Sequence, residues 1–280
     1  MHKYSPFWKY TCCGSDLILL EDHDNSFPVH TDTIAIGIEQ FCSRQLGIGA
    51  SGLLVLRRAE GGRFALFSFD AQGNEMPCSG SALFCAAKHI GKKEVEIVAE
   101  PGLWCIREMG DGEYSLWLPP MRKVQVQQEV PGVPARVHIA EAHKRHAVFF
   151  PPLSENFPRE SLVKSMQAHV HIVDKWENAC AVICPDIGAP RSSLEIEAVS
   201  AIASVCYWLH KEKGPFTVQF RESSFKTRLH FAKMNKEQCP IEKIQISGSP
   251  QFIYKGLGEH YENWNTEGNQ KPRIPSGAYA

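Results

Sequence analysis

The chain has 280 residues, 43% of them hydrophobic, with 30 basic against 31 acidic side chains and a formal net charge of −1. That length accommodates one large domain or two of ordinary size. The balanced charge excludes the strong basic field that nucleic acid or an anionic membrane surface recruits. The longest apolar runs, such as "SGLLVL" and "HAVFFPPL", are too short to cross a bilayer. The N-terminal "MHKYSPFWKYT" lacks the apolar core of a signal peptide. The 10 cysteines mostly lie inside apolar runs, which fits reduced thiols in a cytoplasmic protein. There is no C-x-x-C pair, and neither Cys12–Cys13 nor the Cys180–Cys184 spacing matches common zinc ligands, so no metal is expected.

Strands and helices alternate along the chain. "DLILLED" reads as a buried strand. "TDTIAIGIEQFCSRQL" has helical spacing, with Ile34, Ile36, Ile38, Phe41 and Leu46 as apolar positions and "GIGASG" as its stop. "LLVLRRAEGGRFALFSFDAQG" reads as a hairpin turning at "EGG". "SALFCAAKHI" is a compact helix closed by Gly91. "VEIVAEPGLWCIREMGDGEYSLWL" gives three strands turning at "EPG" and "GDG".

The prolines of "LPPMRK", residues 118 to 123, break both ladder and helix, so a boundary is expected there. The order of elements then begins again. "ARVHIA" and "HAVFF" read as strands, "PRESLVKSMQAHV" as a helix, and "VHIVD" and "CAVIC" as strands. "SLEIEAVSAIASVCYWLHKEKG" is a helix in a place equivalent to "SALFCAAKHIGKK". "FTVQFRE", "KTRLHFA", "KIQISG" and "QFIYKG" follow as strands. The pattern indicates a duplicated α/β unit, with residues 1–118 as one domain, 119–258 as the second, and a polar, mobile tail over 259–280.

"NEMPCSGSALFCAAKHIGKK" carries the first chemical signal. A helix beginning near Ser79–Ser81 puts Cys78 at its N-terminus. Free N–H groups and the helix dipole there stabilise negative charge, lower a thiol's pKa and can hold a carboxylate. A thiol base beside a carboxylate cradle suits removal of the α-proton of an amino acid. The competing reading of Cys78 is a small buried hydrophobe. Cys85, deeper in the same helix, is a core position.

These segments resemble the diaminopimelate epimerase family over nearly the whole chain. "FWKYTCCGSDLILLED" is similar to the family's opening strand and G-N-D turn, with Ser15 in place of Asn. "CSRQLGIGASGLLVLRR" is similar to R-x-x-G-I-G-A-D-G-L-L, with Ser51 in place of Asp. "FSFDAQGNEMPCSGSALFCAA" resembles F-x-N-A-D-G-x-E-x-x-x-C-G-N-G-x-R-C, one residue shorter, with Asp70 in place of Asn. "LSENFPRESL" has the family's N-E-N-F-P-like spacing, and "KIQISGSPQFIYKG" resembles its closing strand.

The resemblance implies two pseudo-symmetric α/β domains. Each wraps strands around a central helix, and the active cleft lies between them. It implies cofactor-free racemisation, one thiolate taking the α-proton while a thiol on the other face donates. Cys78 carries over as one of that pair. Ser15, Asp70, Ser79, Gly80 and Ser81 carry over as substrate contacts. The implied partners are a small-molecule amino-acid substrate and a second copy of the chain in a homodimer, with no nucleic acid and no membrane.

The second half departs from the family. Where G-E-T-x-A-C-G-T-G-A-C-A-A is usual, this chain has "SSLEIEAVSAIASVC". Glu197 falls near the missing cysteine, and Ala198, Val199 and Ser200 fall where the Gly-Thr-Gly cradle would be. Arg191 is the only arginine near the family's E-R-G turn, His171 stands near another substrate position, and Cys206 lies in the helix core. Glu197 is either the second acid/base or a solvated acid in a first helical turn. Two functions stay open on these residues. One is an amino-acid epimerase or racemase acting on diaminopimelate. The other is a catalytically impaired pseudo-epimerase that binds or senses a small molecule.

Overall fold

The computed structural model describes residues 4–29, 34–100, 102–119, 121–130, 135–141, 145–150, 169–177, 180–184, 191–210, 216–220, 224–231 and 241–259. The fold is mixed α/β and mostly sheet. Contacts divide the chain into two compact units, Met1–Tyr114 with Gly248–Ala280, and Ser115–Ser247.

The first unit contains β1 (Tyr4–Cys12), β2 (Ser15–Asp22), α1 (Ala35–Cys42), β3 (Gly52–Arg58), β4 (Phe64–Asp70), β5 (Glu75–Met76), α2 (Gly80–Ile90), β6 (Glu94–Ala99) and β7 (Gly102–Gly110). β1 and β2 pair antiparallel, β2 and β3 parallel, β3 and β4 antiparallel, β4 and β6 parallel, and β6 and β7 antiparallel. A parallel pair needs a crossover, and α1 and α2 occupy the two crossovers. The boundary expected after residue 118 lies upstream, inside β8 (Glu113–Leu118). The end of the chain also departs from the expected division. β17 (Gln251–Glu259) pairs with β1 from Tyr4↔Glu259 to Thr11↔Gln251, which returns it to the first unit.

The second unit contains β9 (Lys123–Gln128), β10 (Val137–Glu141), β11 (Arg145–Phe149), β12 (His169–Glu177), β13 (Cys180–Cys184), α3 (Arg191–His210), β14 (Phe216–Phe220), β15 (Ser224–Phe231) and β16 (Ile241–Gly248). Its pairings from β10 to β15 run antiparallel, parallel, antiparallel, parallel, antiparallel. That is the order seen from β1 to β7. α3 occupies the crossover between β13 and β14, the place α2 holds in the first unit. The helix expected over "PRESLVKSMQAHV" lies outside the described residues, except that His169 and Val170 are in β12.

Each unit buries one helix among its strands. α2 packs against β1, β2, β4, β6 and β7, and Gly80–Ala87 are all buried. Its run of Gly, Ser and Ala lets strands approach from every side. Ser79 caps it, its Oγ accepting from Ala82 N at 3.1 Å, and Gly91 ends it at φ 70°. α3 packs against β9, β10, β11, β14 and β15, and Ala198, Val199, Ala201, Ile202, Ala203, Val205 and Cys206 are each at most 1% exposed. A helix that is apolar all round needs such a central position.

α1 instead lies over one face of β2 and β3. Ile38, Phe41 and Cys42 join Ile18, Leu20, Leu53, Val55 and Phe69 in one cluster. Alternation then turns Leu19 and Leu54, both fully buried, to the opposite face, the side where α2 packs on β2. Each such side chain contributes about 1.5–3 kcal/mol by leaving water. Two expected core positions are not buried. Ile36 is 60% exposed, because it lies on the helix face opposite Ile34 and Ile38. Leu46 is 51% exposed, because the helix stops at Cys42, where Ser43 turns extended.

Candidate functional site

Three strand ends meet in the first unit. Gly52 pairs with Leu17 on β2 and with Asp70 on β4, so the starts of β2 and β3 and the end of β4 lie side by side. Asp16 organises this edge. Its Oδ1 accepts from Ser51 N at 3.1 Å, Ser51 Oγ at 2.6 Å and Arg44 Nη2 at 2.7 Å. Its Oδ2 accepts from Arg44 Nη1 at 3.0 Å and the buried amine of Lys9 at 2.9 Å. Lys9 also donates to the carbonyl of Gly49. Burial alone would raise the Asp16 carboxyl, but donors from Arg44, Ser51 and Lys9 outweigh it and hold the group well below the usual carboxylate range. The "RQLGIGASG" loop is thereby tied to the β1–β2 hairpin, and Ser15 stands at the first residue of β2 beside this anchor. The roles of Asp16, Arg44 and Lys9 were missed in the sequence reading, although Asp16 and Arg44 are letters of the motifs quoted there.

Asp70 is engaged locally. Its Oδ1 accepts from the N–H groups of Gln72 and Asn74, each at 2.9 Å, and its Oδ2 from Asn74 Nδ2 at 2.9 Å. Both oxygens close the turn that leads toward Cys78. Gly73 completes it at φ 83°.

Cys78 lies immediately before the Ser79 cap, where the sequence places it at the start of α2. Its thiol does not have the low pKa expected of a thiol at a helix start. The side chain is 3% exposed and points back to β4, where Sγ donates to the carbonyl of Leu66 at 3.6 Å. Burial, with the charges of Glu100 and Glu75 added, pushes the Cys78 thiol up to about 12. Desolvation dominates because the sulfur is buried and turned toward β4. In the first turn, Ser79 Oγ is occupied by Ala82 N, and Gly80 and Ser81 are buried. Ser81 Oγ has no hydrogen-bond partner among the described residues.

In the second unit α3 begins at Arg191, two residues before the expected "SLEIEA" run. Glu197 therefore lies past the first turn and is not the first-turn acid that was one expectation. The N–H groups of Ala198 and Val199 are used by the helix itself, so the cradle expected from Ala198, Val199 and Ser200 does not form. Cys206 is buried deep in α3, the core position expected of it. Glu197 is not isolated. Its Oε2 is 3.3 Å from His146 Nε2 on β11, and His146 Nδ1 is 2.9 Å from His171 Nε2 on β12. The imidazole centroids lie 5.2 Å apart with 19° between planes, nearly coplanar and edge to edge. His146 is fully buried and His171 is 2% exposed, while the Glu197 side chain keeps 19% exposure. The parallel β11–β12 pairing holds the two rings together, with Val148 opposite His171 and His146 opposite His169. Among the described residues, no group of three His, Cys, Asp or Glu has the geometry to hold a metal ion. No described helix is long and apolar enough to cross a membrane.

No protein-family model matches the chain. Over 89 residues it is 34% identical to the diaminopimelate epimerase of Nostoc punctiforme, covering 31% of each chain. The diaminopimelate epimerase of a Picosynechococcus species gives the same figures, and that of Clostridium perfringens is 29% identical over 82 residues, or 29% of each chain. Over that segment the chain is a divergent relative of the diaminopimelate epimerases. The matches span less than a third of these curated relatives' length.

Solved structures cover far more of the chain. Methylitaconate-delta-isomerase superposes with a TM-score of 0.61 at 11% identity, over 96% of this chain and 98% of that one. A probable proline racemase from Agrobacterium radiobacter K84 gives 0.59 at 12%, over 90% and 92%. A Bacillus anthracis phenazine biosynthesis protein of the PhzF family gives 0.56 at 11%, over 91% and 99%. At such identities the likeness is one of fold.

Proposed function

We propose that the protein is a cofactor-independent isomerase that moves a proton at the α-carbon of an amino acid, with diaminopimelate as the first substrate to test. One observation carries this reading. Cys78 stands before α2, and Glu197 lies on α3, the helix that fills the equivalent crossover of the second unit. The segment shared with diaminopimelate epimerases supports it, as does a fold shared with racemases and isomerases.

The roles follow from chemistry. A thiol pushed up to about 12 is protonated near neutral pH and serves as a proton donor. A carboxylate with partial exposure serves as the base. Glu197 takes the α-proton, and the electron pair of the broken C–H bond stays on carbon, spread into the adjoining carboxyl. The Cys78 thiol leaves Leu66 O and gives its proton to the other face. A new C–H bond forms from the waiting pair, and a thiolate remains. The N–H groups of Gly80 and Ser81 and the Ser81 hydroxyl hold the substrate carboxylate.

Incubation with diaminopimelate in heavy water tests this. Inversion with one deuterium gained at the α-carbon is expected. No exchange with diaminopimelate or any common amino acid rejects it. The sealed Cys78 and the fully engaged Asp70 favour a second reading, a small-molecule-binding protein that kept the fold. That reading expects no exchange but saturable binding of an amino acid by calorimetry.

A further inference from the structure

The turn between β1 and β2 holds two neighbouring cysteines. Cys12 ends β1 and pairs with Ser15, the first residue of β2, which leaves Cys13 and Gly14 as a two-residue loop. Their φ values are 53° and 95°, the doubly positive pattern of a tight hairpin turn. Neighbours along a strand send their side chains to opposite faces. The left-handed backbone at Cys13 undoes that alternation, and the two sulfurs lie 3.4 Å apart. Gly248 backs both of them. A Cβ there would stand 2.5 Å from Cys13 Sγ and 3.2 Å from Cys12 Sγ, so the two sulfurs crowd one backbone position. The pair is asymmetric. Cys12 is 2% exposed, whereas Cys13 is half-buried at the hairpin tip, and both are thiols.

We propose that Cys12 and Cys13 form a thiol–disulfide exchange site, which closes to a vicinal disulfide on meeting a small-molecule disulfide. The site uses neither Cys78 nor Glu197. The Cys13 thiolate attacks one sulfur of the small disulfide, whose S–S bond breaks, and the released thiolate takes up a proton. Cys13 is then a mixed disulfide. The Cys12 thiol gives its proton to water, and its sulfur attacks Cys13 Sγ. That bond displaces the second small thiolate, which is protonated in turn. Two protein thiols are oxidised, and one small disulfide is reduced to two thiols. The sulfurs have to approach from 3.4 Å to about 2.0 Å. Exposure sets the order of events. Cys13 is open to a reagent, and Cys12, sealed from solvent but in contact with Cys13, is the resolving thiol.

The test treats the full-length protein with glutathione disulfide near neutral pH. Remaining thiols are then blocked with N-ethylmaleimide under denaturing conditions. Cleavage after Lys9 and Glu21 isolates a peptide that holds Cys12 and Cys13 and no other cysteine. Mass spectrometry should find this peptide two hydrogens lighter than its reduced form, carrying neither maleimide nor glutathione. Dithiothreitol should restore the reduced mass. Cys12→Ser should stop the reaction at a glutathione adduct on Cys13. Cys13→Ser should leave Cys12 unmodified over the same time. The wild-type arm decides the matter without either variant. A wild-type peptide that keeps glutathione on Cys13, or that takes maleimide at both positions, overturns the proposal. So does a Cys12 or Cys13 found joined to another cysteine of the chain.

Discussion

Cys78 Sγ donates to the carbonyl oxygen of Leu66 across 3.6 Å, which turns the thiol at the start of α2 toward the sheet and away from the helix dipole. The loop from Asp70 to Pro77 dictates this. Asp70 closes its own turn, β5 pairs briefly with β4 through Ser68↔Met76, and Pro77 then delivers Cys78 against the middle of β4. The N–H groups of α2 remain in place to stabilise a thiolate, but only after the side chain rotates. The resting protein therefore holds a buried, protonated thiol rather than a standing thiolate.

Brief alkylation with iodoacetamide near neutral pH is the direct check. Among the described cysteines Cys105 is exposed and Cys13 half-buried, whereas Cys12, Cys42, Cys78, Cys85 and Cys206 are buried. Cys105 and Cys13 should be modified first, with Cys78 roughly tenfold slower or more, because it must both uncover and ionise. Peptide mapping by mass spectrometry reads the order. Cys78 labelled first in the free protein would contradict the sealed geometry.

Asp16 makes stability depend on pH with a definite sign. Its folded pKa is depressed below the ordinary 3.8 by Arg44, Ser51 and Lys9 despite burial. A depressed carboxylate contributes stability that is present above the unfolded value and lost as pH falls through the folded one. Asp16→Asn should lower stability at pH 7 by about 3 kcal/mol, because Lys9 is left buried without its counter-charge. Urea midpoints should show the wild-type advantage shrinking below pH 4. An advantage that stays constant from pH 7 to pH 3 would mean the network is not electrostatic.

The strand and helix order was legible because period-2 and helical spacing survive in single segments such as "VEIVA" and "SALFCAAKHI". The placement of β17 was not, since its register with β1 joins residues at opposite ends of the chain. The helix α3 was legible from "SLEIEA" onward, within two residues of its start at Arg191, although tertiary burial of the later turns carries it. At the candidate site, Cys78 was legible from its small-residue context, yet its orientation was not. That depends on a carbonyl of β4 that no local pattern announces. His146 was passed over for the same reason. It reads as one residue of the strand "HAVFF", and its link to Glu197 exists only after β11, β12 and α3 have packed.

Tyr10 shows a similar long-range chain in the first unit. Its OH lies 2.9 Å from His89 Nδ1, and His89 Nε2 lies 3.0 Å from Glu21 Oε1. Burial, with nearby Cys85, Glu21 and Tyr114 adding to it, pushes the phenol up to about 12. Tyr10→Phe should cost about 1–2 kcal/mol by leaving the His89 nitrogen without its phenol. Ultraviolet titration should show one tyrosine fewer resisting ionisation at pH 11 in the variant. Equal titration of the two proteins would place Tyr10 outside the buried chain.

Gly248 tests how tightly the hairpin tip packs on α2. It ends β16, and a Cβ placed there would stand 2.5 Å from Cys13 Sγ, 3.0 Å from Phe84 Cδ2 and 3.2 Å from Cys12 Sγ. Phe84 is fully buried in α2, so it cannot yield. Cys13, held at φ 53° on the hairpin between β1 and β2, is the atom most able to move. Gly248→Ala should therefore destabilise by about 1–3 kcal/mol through overpacking. Adding Cys13→Ala removes the closest sulfur and should recover part of that loss, a coupling that thermal or urea unfolding of the four proteins in the cycle would measure. Simple additivity would show that the strain falls on Phe84 instead, and the start of α2 rather than the hairpin would then be the part displaced.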